Sequence, residues 1–285
     1  MTETPILDNH LHLDPVNGRG VAAAAEFADA GGTHLLVLNK PSWSLVDGVG
    51  DEAAFRETFE ITCDVAAAAD DRLPGRAWPV LGVHPALVSR LVENGHTPAD
   101  AADLMQAGLD VAAEFVADGP ALALKSGRPH YDVSDAVWDA SNRVMQHAFE
   151  LGAQLGCVVQ LHTEGGETFE QIAAWAESRG LARDQVVKHY AGGPVEGPVP
   201  SVISNREDLV AAAESGDPFL METDFIDDPE RPGAVLGPKT VPSRVRWLRE
   251  QGHEEAIRTA HVETPARVYG IDTEGTLSDT HRRSA

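Results

Sequence analysis

A single-domain (β/α)8 barrel is the fold class this sequence predicts, and three observations carry it. The chain has 285 residues, close to the roughly 250 that one such barrel needs. Eight short apolar runs, at residues 5–10, 34–39, 78–84, 121–125, 157–162, 185–189, 199–204 and 219–224, alternate with helical stretches. The runs are apolar along their whole length, as expected of parallel strands covered on both faces.

Each element has its own signal. The first strand is followed by an alanine-rich helix at 20–30 and the second by a longer one at 52–69. After the third strand, Thr97-Pro98 opens a helix at 99–117, and after the fourth, Ser134 offers a cap for 135–155. The fifth strand leads to a helix at 168–178. The seventh, the weakest run, leads to one at 206–215. No strand runs into a Gly-x-Gly-x-x-Gly turn, which disfavours an open doubly wound sheet. The barrel is expected over about 5–224, C-terminal helices over about 240–271 and a polar tail over 273–285, with 1–285 as one domain.

Charge excludes some functions. Asp and Glu number 45 against 22 Lys and Arg, a net charge of −23. Such a surface repels nucleic acid and anionic membranes at low salt, so nucleic acid is expected as a partner only at high salt. The cations include four lysines, Lys40, Lys125, Lys188 and Lys239, and this acid-rich, lysine-poor balance is that of a salt-adapted (halophilic) protein. Two cysteines, Cys63 and Cys157, support neither a disulfide scaffold nor a four-thiolate zinc site. With no membrane-length apolar run and no signal-peptide pattern, a cytoplasmic protein is expected.

The chemistry gathers at strand ends. His10 and His12 stand two apart on the first strand, so both side chains face one side and can share a metal. His84 follows the third strand, while His162, His189 and Asp224 end the fifth, sixth and eighth. All lie at carboxyl-terminal strand ends, where barrels place active sites. The fourth strand ends on Lys125. An ammonium there would repel metal, but an amine carboxylated by carbon dioxide would present two bridging oxygens. The alternative is a plain cation for an anionic substrate. In the following loop, Arg128 suits a phosphate or carboxylate, and His130 and Tyr131 suit a leaving group or a ring. Glu164 either reaches the site or opens the next helix. Asn39 and Trp43 are candidates for the mouth, segments 191–200 and 225–238 for lids, and Asp227 and Asp228 for solvated surface acids. His34, His96, His147, His253 and His281 read as structural or surface residues, and His261 stays open.

These residues carry a resemblance. The His-x-His start, Gly82-Val83-His84-Pro85, His162, His189, Glu222-Thr223-Asp224 and the closing Thr264-Pro265-Ala266-Arg267-Val268-Tyr269-Gly270 are similar to the TatD family of metal-dependent hydrolases in the amidohydrolase superfamily, and to an archaeal branch of it. The resemblance implies two divalent cations, zinc with manganese, nickel or cobalt as alternatives. His10 and His12 would hold one and His162 and His189 the other. Asp224 would ligate the first and activate the attacking water, and His84 would contact the substrate. The family usually carries glutamate where this chain has Lys125, which is similar instead to the phosphotriesterase branch with its bridging carboxylated lysine. The expected activity is hydrolysis of a phosphoester. The alternatives are a carboxylic ester, lactone or amide, or a barrel that has lost catalysis and binds a small ligand. Oligomeric state is left open.

Overall fold

The computed structural model describes residues 4–48, 50–231 and 235–277. His281 and the tail from 278 lie outside them. The strands are β1 (Leu7–His12), β2 (His34–Leu38), β3 (Ala77–Gly82), β4 (Ala123–Gly127), β5 (Val159–His162), β6 (Val186–Ala191), β7 (Val199–Ile203), β8 (Leu220–Glu222) and β9 (Phe225–Ile226). All pair in parallel in the order β8-β7-β6-β5-β4-β3-β2-β1-β9. The sheet curls until β8 meets β1. There the Asp224 N–H donates to the His10 carbonyl at 2.9 Å. Thr223 donates to the Asp8 carboxylate through Oγ1 at 2.7 Å and through its N–H at 3.1 Å.

Helices cover the outside: α1 (Val21–Asp29), α2 (Glu52–Asp70), α3 (Leu87–Glu93), α4 (Pro98–Ala117), α5 (Asp135–Leu155), α6 (Glu170–Ser178), α7 (Arg206–Ser215), then α8 (Thr240–Glu250), α9 (Glu254–Arg258) and α10 (Thr264–Tyr269). Helix α4 starts as its sequence predicts. Thr97 and Asp100 form a reciprocal capping box, with Pro98 in the first turn. The eight expected strands, the six expected helices between them and the expected C-terminal helices are present, while α3 and the two-residue β9 are additional.

Buried Leu7, Leu36, Leu38, Val80, Ala123, Val158, Val187, Val199 and Leu220 form one cluster with Val268 and Ile271. Residues from seven barrel strands, with Val158 at the entry to β5, can touch only in the interior, so this cluster fills the barrel's lower half, and the C-terminal segment stoppers it. Two further clusters lie between the sheet's outer face and the helices. Above the apolar floor the interior turns polar, and the candidate site begins there.

Candidate metal centre

His10 and His12 leave β1 near an irregularity of pairing between Asp8 and Leu11, which re-aims the strand's end into the barrel. His12 Nδ1 donates to the Leu38 carbonyl at 3.0 Å, so its neutral ring presents the Nε2 lone pair. His10 Nδ1 lies 2.8 Å from Gln160 Oε1. The Gln160 amide nitrogen donates to the Asn9 carbonyl at 3.1 Å and to the Tyr269 hydroxyl at 2.9 Å. That fixes the amide's orientation, makes Oε1 the acceptor, and leaves the His10 Nε2 lone pair free. This Nε2 is buried and has no hydrogen-bond partner among the described residues.

The free nitrogens converge. Nε2 of His10, His12 and His189 lie 3.8, 4.0 and 3.8 Å from one oxygen of Asp224. His189 stacks on His10 with ring centroids 3.6 Å apart. Its Nδ1 sits 2.7 Å from Glu222 Oε1, close in distance but out of hydrogen-bond alignment. Glu222 is held by the Tyr190 N–H at 2.9 Å and by the Ser201 hydroxyl. Two non-glycine residues, Asp224 (φ 49°) and Tyr190 (φ 56°), take left-handed backbone conformations beside this cluster, where strain is characteristic of functional sites. The turn at Asp224 explains why β8 stops at Glu222, short of the predicted 224.

Electrostatics favour ligation. Burial, with Lys125 next in effect, holds His10 and His12 well below the usual histidine range, so both are neutral. Burial and His10 do the same for His189. Burial raises Asp224 to about 7 against the opposing pull of Lys125. Lys125 is 1% exposed, and no carboxylate lies within ion-pair distance of its amine among the described residues. Burial lowers that amine to about 8. Three neutral imidazoles, one carboxylate and an orphaned buried Nε2 fit a divalent cation. Ligand atoms cluster as His10–His12–Asp224 and as His10–His189–Glu222.

A cavity of about 760 Å³ opens onto this centre. His12, His84, Lys125, His162 and Asp224 form its base. Asn17, Lys40, Trp43, Ile226 and residues 228–231 form its walls. His84 Nδ1 accepts the Ala86 N–H at 3.1 Å, so a neutral His84 carries its proton on Nε2 and is a donor, not a ligand.

Several expectations need correction. Arg128 and Glu164 do not line this cavity. They pair with each other, Arg128 Nε to Glu164 Oε2 at 2.8 Å and through a second close contact, while Arg128 also donates to Asn142 at 3.0 Å. The Tyr131 hydroxyl donates to Ser89 at 2.9 Å, and neither it nor His130 lines the cavity. His162 Nε2 lies 2.9 Å from His130 Nδ1, and its ring centroid is 5.5 Å from that of His189. Asp227 is not a surface acid. It is buried and accepts the N–H groups of Asp14, Arg19 and Gly20 at 3.1, 2.8 and 2.7 Å. Asn39 clamps Gly82 through both its amide atoms, while Trp43 does line the mouth. Segment 191–200 is tied to 167–169 through Glu196. His261 is structural, its Nδ1 accepting the Leu7 N–H at 3.0 Å. Asp8, Gln160 and Tyr269 were not assigned to the site. Asp8 and Gln160 are polar residues inside apolar runs, and Tyr269 stands in the closing motif at 264–270.

The TatD related DNase family matches residues 7–270, nearly the whole chain. The chain belongs to the TatD family. It is 34% identical over 284 residues to an uncharacterized protein of Methanocaldococcus jannaschii, covering 95% of this chain and 97% of that one. Among solved structures it resembles a mutant PTE-like lactonase of Deinococcus radiodurans, at TM-score 0.59, 15% identity and coverage of 95% of this chain and 96% of that one. It also resembles a TatD-like protein of Archaeoglobus fulgidus, at TM-score 0.58, 16% identity and coverage of 93% and 100%. These structural likenesses bear out the barrel. No helix among the described residues is long and apolar enough to cross a membrane.

Proposed function

We propose that this TatD-family protein is a hydrolase dependent on two divalent cations and acting on a phosphoester bond. The observation that carries it is the convergence of three imidazole Nε2 atoms on one Asp224 oxygen, with the His10 Nε2 buried and unpartnered. His10, His12 and Asp224 would hold one cation and His162 and His189 the second, with Lys125, as a carbamate, supplying a further anionic ligand. Zinc suits the imidazole-rich set. When bound, the cations supply Lewis acidity and a water that ionises near neutral pH.

The chain's own groups supply the rest. Asp224 takes the proton of the attacking water and returns it to the leaving oxygen as that bond breaks. The His84 Nε2–H, at the base of the cavity, donates to the substrate oxygen that gains charge. The cavity volume suits a small molecule or a single nucleotide end and not an intact duplex. The −23 charge likewise disfavours long nucleic acid at low salt.

A second reading, hydrolysis of a lactone or carboxylic ester, is favoured by Lys125 at the end of β4. The test is a panel of chromogenic phosphodiesters, esters and lactones with added divalent metal in high salt. Phosphodiester turnover is expected, abolished by chelator and reduced on the order of 100-fold or more by Asp224→Asn. Turnover of carbonyl substrates alone would overturn the phosphoester reading. Activity indifferent to chelator would overturn metal dependence.

A further inference from the structure

His162 stands at the base of the cavity and ends a strand of four residues, and the neighbouring strand β4 is what holds it there. Gly127 ends β4 and pairs with His162, and a Cβ at Gly127 would stand 1.9 Å from the His162 carbonyl oxygen. Only glycine lets the two backbones approach so closely. The same device sits one strand earlier, where Gly82 pairs with Lys125 and a Cβ would stand 1.8 Å from the Lys125 carbonyl oxygen. The ends of β3, β4 and β5 are drawn together at these two points, and Lys125 and His162 lie between them.

Arg128, the next residue, closes the junction. Its N–H donates to the His162 carbonyl at 2.9 Å. Its side chain reaches Glu164, two residues beyond His162, where Nε donates to Oε2 at 2.8 Å and Nη2 to Oε1, the fork that matches a carboxylate. Nη1 donates to Asn142 at 3.0 Å, and the guanidinium lies 4.3 Å from the centre of the Trp138 ring, both on α5. The Arg128 side chain is only 8% exposed, so the pair escapes the screening that leaves exposed pairs such as Arg56–Glu114 with little hold. Neither Arg128 nor Glu164 lines the cavity, so the fork grips the chain around His162 and not a substrate.

We propose that Arg128 is a positioning residue for the second cation: forked onto Glu164 and bonded to the His162 carbonyl, it fixes the place of the His162 imidazole and so the affinity of that site. This rests on the two-cation reading, in which His162 is a ligand of the second cation. The requirement is for the planar fork and not for positive charge alone, since a lysine ammonium cannot hold Glu164 and Asn142 in one geometry.

The test is a cobalt(II) titration of the full chain, purified in high salt without chelator, with cobalt per chain measured by elemental analysis. Wild type, Arg128→Met, Arg128→Lys and Glu164→Gln are compared, and His162→Ala identifies which binding step belongs to the second site. Two cations are expected in wild type. In Arg128→Met and Arg128→Lys the first site should be unchanged and the second weakened by about 10–100-fold, as for the loss of an outer-shell partner. Glu164→Gln should act on the same step by a smaller factor. Thermal melting shows which variants are folded, and the two conservative ones, Arg128→Lys and Glu164→Gln, carry the test if Arg128→Met is not. Wild-type affinity at both sites in the folded variants would overturn the proposal alone, leaving the pair a support of the fold. Equal weakening of both sites would also overturn it, because a general loosening of the barrel has no preference for His162. One cation in wild type, or two that survive in His162→Ala, would overturn the two-cation reading and the proposal with it.

Discussion

A histidine ligates through whichever ring nitrogen lacks a proton, and at His10 that choice is made several residues away. Tyr269, from the last helix, and the Asn9 carbonyl both engage the amide nitrogen of Gln160. Only the amide oxygen remains for His10, so His10 must carry its proton on Nδ1. Gln160→Leu removes this constraint and strands a buried N–H. The expected result is a first-site metal affinity lower by about 10–100-fold with the second site unaffected, read by calorimetric titration. Tyr269→Phe should act in the same direction more weakly, and unchanged affinity in Gln160→Leu would refute the tautomer argument. His10, His12, His189 and Asp224 were legible as sequence because strand ends select for function. Gln160 was not, since a polar residue in Val159-Gln160-Leu161 reads equally as an outward-facing break. Arg128 and Glu164 misled for a related reason: both suit an anion, and each satisfies the other.

At the scale of elements, the cavity's wall depends on a junction between the β1–α1 loop and the segment after β8. The Asp227 carboxylate accepts three backbone N–H groups from residues 14–20, and Lys40 joins the Asp14 carboxylate at 2.6 Å to the Asp227 carbonyl at 3.3 Å. Gly18 packs against Asp227 so closely that a Cβ there would lie 2.5 Å from its carboxyl carbon. Asp227→Ala would leave buried donors unpaired, at a cost of about 1–3 kcal/mol for each group that water cannot reach. The expected outcome is a lower melting temperature together with a raised KM, because the neighbours of Asp227, Ile226 and residues 228–231, line the cavity. A variant with the stability and KM of wild type would show that the junction does not shape the wall. Sequence periodicity found β1 and β8 but not this tie. Asp227 follows a run that reads as strand, in a segment whose composition is that of a surface loop, and its donors come from a loop some 200 residues away. The strand ends themselves shifted where the chain turns left-handed, at Asp224, a conformation no apolar pattern encodes.

For the whole molecule, the two ends of the barrel answer to different demands. The carboxyl end holds its histidines neutral for ligation, and the opposite end holds His34 neutral for packing alone. The His34 ring lies parallel to Trp78 at 5.7 Å, between the hydroxyls of Thr33 at 2.7 Å and Thr276 at 2.9 Å. Burial first, and the nearby Arg76 second, push His34 from 6.5 down to about 4. In the unfolded chain the same ring titrates near 6.5. Below that pH the unfolded state therefore binds the proton that the folded state refuses. The stability tied to neutral His34 is complete above pH 6.5 and is lost as the pH falls to about 4, on the order of 3 kcal/mol in total. His34→Gln keeps polar contacts to the two threonines without a titrating group. It should be less stable than wild type at pH 7.5, and the difference should narrow steadily toward pH 4.5, as measured by denaturant unfolding at constant high salt. Constant salt matters, because with a net charge of −23 the protonation of surface acids also relieves self-repulsion as the pH falls. That effect is common to both proteins and cancels in the difference between them. A gap independent of pH would mean that His34 contributes by shape and stacking alone.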